Sequence, residues 1–280
     1  MGKIGIIGGS GIYSLDEVTL VKEHNIDTPF GRPSSNVLEL DVNGDHFYFL
    51  PRHGKGHAIA PSDINYRANI YALKLMGVNT LVSISAVGSL KEEHAPNDFV
   101  LPSQFIDWTK GIRARTFFGE GVVGHVSTAY PVEQNLQQRL GTVLSESGIK
   151  FSLGGSYVCI EGPQFSSRAE SEIYRSFKAD VIGMTNVPEA YLAKEAGMAY
   201  ATVAMVTDYD CWKEEHCSVE EIMKVMGDNY KSAQKLILNL IPNLAKNPIN
   251  FEPENKFAIV TNPALISREN QAIISTLIDG

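Results

Sequence analysis

Cysteine and tryptophan are scarce in this chain, at 3 and 2 of 280 residues. Cys159, Cys211 and Cys217 are odd in number and have no framework spacing, which excludes a disulfide-stapled scaffold and fits a reducing cytoplasm. Cys211, His216 and Cys217 cluster without a second paired half, so no metal site is expected. No apolar run approaches the ~20 residues that a membrane span requires. The opening stretch MGKIGIIGGSG is too short in its apolar part and too rich in glycine for a secretory signal. Ile6 stands where a myristoylation pattern needs Ser or Thr. Basic charge is scarce too. Lys and Arg number 24 against 32 Asp and Glu, a net of -8, which argues against a nucleic-acid partner but leaves room for one basic pocket holding a small anion. A dinucleotide fingerprint is missing: Gly9-Ser10-Gly11 would need glycine at position 14, where Ser14 stands, so nothing supports a dehydrogenase.

What the chain does contain is a succession of short apolar runs, rich in Val, Ile and Ala, alternating with helical patterns. Strands are expected at Lys3 to Ile7, Phe47 to Leu50, Thr80 to Ile84, Phe99 to Phe105, Tyr157 to Ile160, Val181-Ile182 and from Ala199 onward. Pro102 places the Phe99 run near an edge or a bulge. Helices are expected at Asn65 to Met76, stopped by Gly77, and at Val132 to Ser147. A third begins at the capping box Ser167-Arg168-Ala169-Glu170. A fourth starts at Asn186 as N-cap, with Pro188 and Glu189 in its first turn, and Gly197 closes it. Ser218-Val219-Glu220-Glu221 opens a long helix to about Leu240 or beyond. Asp107 to His125 is polar and Gly-rich, a long loop of the kind that serves function or a partner. The alternation predicts a single α/β domain over 1–280, a mixed twisted β-sheet with helices on both sides.

The chemistry gathers where the runs end. Ala199 to Thr207 is the composition of a strand buried on both faces, and it stops at Asp208 and Asp210. Positions i and i+2 of an extended chain point the same way, so two carboxylates lie side by side where an open α/β sheet places its ligands. Such a pair accepts hydrogen bonds, and like charge raises the pKa of one member. A solvated turn with Asp210 as a cap is the plainer alternative. Other runs end in Gly8-Gly9-Ser10, Arg52-His53, Ser85-Ala86 and Met184-Thr185. Brought to one crevice, these supply hydroxyls, a guanidinium fork, an imidazole and backbone N–H groups, the means of holding a tetrahedral oxyanion. Thr185 and Asn186 at a helix start add free amides. Each element has a plain reading as a tight turn, a surface charge or a cap, and His57 is read as structural. The argument rests on their coincidence of position.

Gly8-Gly9-Ser10-Gly11, Pro51-Arg52-His53-Gly54, Ser85-Ala86-Val87-Gly88-Ser89-Leu90, the run Glu161 to Glu170 (EGPQFSSRAE) and Met184-Thr185-Asn186-Val187-Pro188-Glu189 together resemble the trimeric purine nucleoside phosphorylase family. Ala204 to Trp212 (AMVTDYDCW) is similar to its branch acting on 5'-methylthioadenosine. The resemblance spans roughly residues 3 to 245. It implies an α/β fold, a homotrimer, no cofactor, and inorganic phosphate as co-substrate of a nucleoside. It implies phosphate binding by Ser10, Arg52, His53, Ser85, Ala86 and Thr185. Purine contacts fall to Phe165, Asp208 and Asp210, with the two aspartates catalytic, and ribose contact falls to Met184. Ser166 and Val219 are implied in substrate choice, and His125 reaches a neighbouring subunit's 5' substituent. Relatives acting on inosine and guanosine carry Asn in the Asp210 region, and the carboxylate here favours 6-amino purines. Ser10 and Ser85 stand where relatives often have Thr, keeping the hydroxyl. The segment between Trp212 and Val219 is shorter than in the animal enzymes.

Overall fold

A computed structural model describes residues 2–9, 17–213 and 219–279, with Val219 described through its backbone only. In chain order the strands are β1 Lys3–Gly8, β2 Thr19–His24, β3 Val37–Val42, β4 Asp45–Pro51 and, after helix α1 Tyr66–Leu75, β5 Val78–Ser89. Then come β6 Phe99–Leu101, β7 Gln104–Trp108, α2 Gln134–Glu146, β8 Phe151–Leu153, β9 Ser156–Ile160 and α3 Arg168–Ser176. The chain closes with β10 Val181–Gly183, α4 Asn186–Glu195, β11 Ala199–Tyr209, α5 Val219–Lys246 and α6 Arg268–Asp279.

Among the described residues the strands form one 11-stranded mixed sheet. β1, β5 and β11 run parallel at its centre, β1 between β4 and β5, and β11 along almost the whole of β5. Their side chains are buried nearly throughout, which is why the runs are Val, Ile and Ala rather than alternating. The edge strand β2 is exposed along most of its length and carries Lys22 and Glu23, which discourages pairing with another chain. β3 and β4 are joined through Asn43 and Gly44, both at positive φ, the backbone a tight hairpin turn demands. Helices α1 and α4 pack together on one face, and α2 and α5 pack together on the other. The sandwich expected from the alternating pattern is therefore present.

Three details depart from the sequence expectation. The Phe99 to Phe105 run is two strands. It breaks at Pro102, which has no N–H for a ladder; β6 pairs with β11 and β8, while β7 pairs with β9. Ser85-Ala86 lies inside β5, which continues to Ser89. Asn186 is not an N-cap. Thr185 holds that position without a side-chain bond, and Val187, extended at φ -119° and ψ 126° ahead of Pro188, interrupts the first turn. In α1, Asn65 caps the Ala68 amide, Ile70 and Leu73 are buried, and Met76 rather than Leu75 joins the core.

Candidate active site

One cavity of about 260 Å³ opens over the carboxyl ends of the central strands. That is several times the roughly 30 Å³ share of one water, so it accommodates an organic ligand. It is lined by Gly9, Arg52, His53, Ser85, Ala86, Met184 and Thr185 at one end, and by Phe165, Ser166, Asp208 and Asp210 at the other. The structure thus brings together nearly every residue the strand ends suggested. Ser10 and the Val219 side chain lie outside the described residues. His125 does not line this cavity. It is exposed in the long loop, and its amide bonds the Ala258 carbonyl.

At the carboxylate end, a β-bulge does the aiming. Along β11, Val206 pairs with Val87 but Asp208 pairs with Gly88, so Thr207 is an extra residue. The bulge shifts the alternation and lets Thr207 and Asp208, neighbours in sequence, both face the cavity. The Thr207 hydroxyl lies 2.6 Å from Asp208 Oδ1. Burial pushes the Asp208 carboxyl up to about 6, the Thr207 hydrogen bond opposes this, and the charge of Asp210 adds to it. Burial also raises Asp210, whose Oδ2 is buried without a hydrogen-bond partner among the described residues. Phe165 is 79% exposed and covers the cavity from outside.

At the other end Arg52 is not the free fork expected. It is only 2% exposed, and its Nε and Nη2 grip Glu189 at 2.6 and 3.1 Å. Nη2 also reaches Ser83 Oγ and the Ile7 carbonyl, and Nη1 donates to the Ile84 carbonyl. Nη1 has one acceptor among the described residues, so at most one of its hydrogens is left for a ligand in the cavity that Arg52 lines. Glu189, in the first turn of α4 as expected, is fully buried, and it also accepts from Tyr200 Oη. Asn186 sits beside this pair, its Nδ2 within 3.0 Å of Ser83, Tyr200 and Thr202 oxygens. Beyond Thr185 and Asn186 this helix start adds no free amide, since Val187 N–H is directed to Cys159 Sγ and Pro188 has none.

His53 Nδ1 lies 2.9 Å from the Ile59 carbonyl, which only accepts, so Nδ1 carries the proton and Nε2 presents a lone pair. Burial and then the Arg52 charge depress the His53 pKa to about 4, keeping the ring neutral at pH 7. His57 stacks on it at 4.1 Å and lines the cavity, so it is a rim residue rather than a buried structural one.

Two groups of site residues escaped the sequence reading. Ile222, Met226 and Tyr230 of α5 line the cavity. Their i, i+4, i+8 spacing was a visible signal of one helix face. Arg113, in the long loop, carried none. Its guanidinium is buried, bonds Glu161 Oε1 at 2.6 Å, and donates to the carbonyls of Met184, Val187 and Glu161 at 2.7 to 2.8 Å. Ser62 and the Lys110 amide complete the set around Glu161. This cluster ties the Met184 strand end to the Phe165 segment. No group of three or more His, Cys, Asp or Glu suited to a metal occurs among the described residues.

A crevice at the ends of parallel strands, with paired carboxylates and a hydrogen-bonding floor, is where an α/β enzyme binds a small molecule. The chain belongs to the phosphorylase superfamily, whose model matches residues 3–242. It is 50% identical over 246 residues to the S-methyl-5'-thioadenosine phosphorylase of Hyperthermus butylicus, covering 88% of this chain and 89% of that one. It is 44% identical to the protein of that name from Geobacter sulfurreducens over 98% and 97% of the two chains. Among solved structures, a methylthioadenosine phosphorylase from an antarctic soil metagenomic library superposes with a TM-score of 0.93 at 43% identity, covering 99% and 98%. A Schistosoma mansoni adenosine/methylthioadenosine phosphorylase mutant in complex with methylthioadenosine gives 0.83 at 36% identity, covering 88% and 93%.

Proposed function

We propose that this protein cleaves S-methyl-5'-thioadenosine with inorganic phosphate, giving adenine and 5-methylthioribose 1-phosphate, a step of purine and methionine salvage. The observation that carries the reading is one cavity holding both a hydrogen-bonding floor for an oxyanion and a raised-pKa carboxylate pair. The names of the relatives agree with it. Phosphate sits over Arg52, His53, Ser85, Ala86 and Thr185, with Ser10 completing the set. This floor is neutral: Arg52 is matched by Glu189, and His53, whose Nδ1 is bound to the Ile59 carbonyl, leaves Nε2 to accept from a protonated phosphate oxygen in the proposed complex. The nucleoside lies toward Asp208 and Asp210, its ribose on Met184, its base under Phe165, with Ser166 and Val219 among the residues that set substrate choice.

Phosphate oxygen attacks C1' as the bond from C1' to N9 breaks, and the electron pair leaves with the purine. Protonated Asp208 gives a proton to N7, a contribution of about 10²–10⁴ in rate. The proton that phosphate gives up as its oxygen bonds C1' passes to solvent, and Asp208, left ionised, takes one back from solvent before the next turnover, so the one proton the base gains is balanced. Ionised Asp210 accepts from the 6-amino group through the oxygen that has no partner among the described residues. Ile222 and Met226 give an apolar wall for the methylthio group. His125 acts across a subunit boundary in a cytoplasmic homotrimer, and no cofactor takes part.

The test is adenine release from methylthioadenosine with and without phosphate. Release that needs phosphate supports the proposal; release without it makes the protein a hydrolytic nucleosidase; tight adenosine binding without turnover makes it a regulatory binding module. Within the family the competing reading is action on adenosine or on inosine and guanosine, and initial rates on the four nucleosides decide it.

A further inference from the structure

The bulge that turns Asp208 into the cavity is held from behind by helix α5. Val206 is the last regular rung before the extra residue Thr207. Its N–H donates to the Asp98 carbonyl, and its carbonyl accepts from the Asn97 N–H at 3.0 Å. The second lone pair of that carbonyl takes Asn229 Nδ2 at 2.8 Å. Asn229 is 1% exposed, and its Oδ1 is buried with no partner among the described residues. Leaving a buried acceptor unmatched is unfavourable, so an apolar side chain would serve a purely packing role better. Asn229 stands three residues after Met226 and seven after Ile222, on the helix face that lines the cavity. One face of α5 therefore both forms the apolar wall and grips the strand end that bears Asp208.

We propose that Asn229 is a positioning residue for Asp208: by fixing the Val206 carbonyl it sets the bulge, and it makes the α5 wall and the carboxyl a single rigid unit. This rests on the reading of Asp208 as the group that protonates the purine. Among the described residues, the titratable or charged side chains that line the cavity with Asp208 are Asp210, Arg52, His53, His57 and, from α5, Tyr230. The cavity-lining residues of β5 and β10 and of the Phe165-Ser166 segment carry no titratable side chain. A shift in the titration of Asp208 thus reports its placement.

The experiment compares pH profiles of kcat/KM for methylthioadenosine at saturating phosphate, with KM and melting temperature, in the wild type, Asn229→Leu, Asn229→Asp and Asp208→Asn. With the carbonyl released, Asp208 relaxes toward water and its pKa falls. Asn229→Leu is expected to lower kcat about tenfold, part of the general-acid contribution, with nucleoside KM nearly unchanged and the alkaline limb moved to lower pH. Asn229→Asp is close in shape to the wild type and keeps a donor only while its carboxyl is protonated. Its activity is expected to match the wild type at low pH and to fall early as pH rises. It carries the test if Asn229→Leu does not fold. A lowered melting temperature with wild-type kcat and limb in the Leu variant, or a wild-type profile in the Asp variant, overturns the proposal. If Asp208→Asn keeps the wild-type limb, the acid assignment itself fails and the proposal falls with it, a result distinct from failure at Asn229.

Discussion

In the proposed reaction Asp208 and Asp210 do different work because their surroundings differ. Asp208, its carboxyl pushed up to about 6 by burial, must there be protonated to serve the departing base, so kcat/KM is expected to fall as pH rises through about 6 in the free enzyme. A profile flat from pH 5 to 8 would remove it from the chemistry. Asp210 can only accept when ionised. A 6-oxo purine would set two acceptors face to face in a dry pocket, at ~1–3 kcal/mol. Asp210→Asn, able to donate as well, is expected to raise the ratio of inosine to adenosine activity about tenfold, measured as kcat/KM on each. This pair was readable from sequence because an apolar strand ending in two like charges is uncommon. The bulge was not, since an extra residue at Thr207 is decided by which partners the neighbouring strands offer. Arg52 was found but misjudged. Its partner Glu189 lies 137 residues away, and nothing local distinguishes a buried glutamate from one in an exposed first turn.

At the scale of elements, α5 contributes a wall and its periodicity sets which residues line it. Enlarging the space with Met226→Ala is expected to raise KM for methylthioadenosine more than for adenosine, whose smaller 5' group depends less on apolar contact. Equal changes would place the 5' substituent elsewhere. The stretch from Asp107 to His125 was legible as a long loop, apart from Asp107 and Trp108, which end β7, but the anchoring contacts of Arg113 were not. Its partners come from β9, the turn after β10 and α1, segments whose convergence only the fold creates. Pro102 was legible as a disturbance. That it divides one run between two partners depends on where β11 and β9 lie.

For the whole molecule, two of its buried charge clusters bear on stability in testable ways. Glu189→Gln leaves the Arg52 charge in the core without its counter-ion and is expected to cost about 3–5 kcal/mol, read by denaturant unfolding. Replacing both members with apolar residues of similar length, Arg52→Met with Glu189→Leu, is expected to keep the fold while raising KM for phosphate. An equal rise for the nucleoside would take Arg52 out of the anion contact. Asp180 behaves differently. Burial alone would raise its pKa, but His94, Lys91 and the Ser156 amide together hold it at about 2. A folded pKa below the unfolded value stabilises the protein above about pH 4, and that contribution, about 2 kcal/mol, is lost as pH falls to about 2. Asp180→Asn is expected to lower the melting temperature at pH 7 and to flatten its decline in acid. The layered arrangement was legible because apolar runs and helical patterns alternate along the chain. The polar clusters beneath it were not, because composition says nothing about which charges are covered.

The Arg52–Glu189 pair has one more consequence. In the proposed reaction the phosphate seat, whose one guanidinium among the described lining residues is already matched, attracts its anion through short, directed contacts rather than through a long-ranged field. Added potassium chloride is therefore expected hardly to alter how fast or how tightly phosphate is captured, and a sugar phosphate formed there is expected to leave without a strong ionic tether.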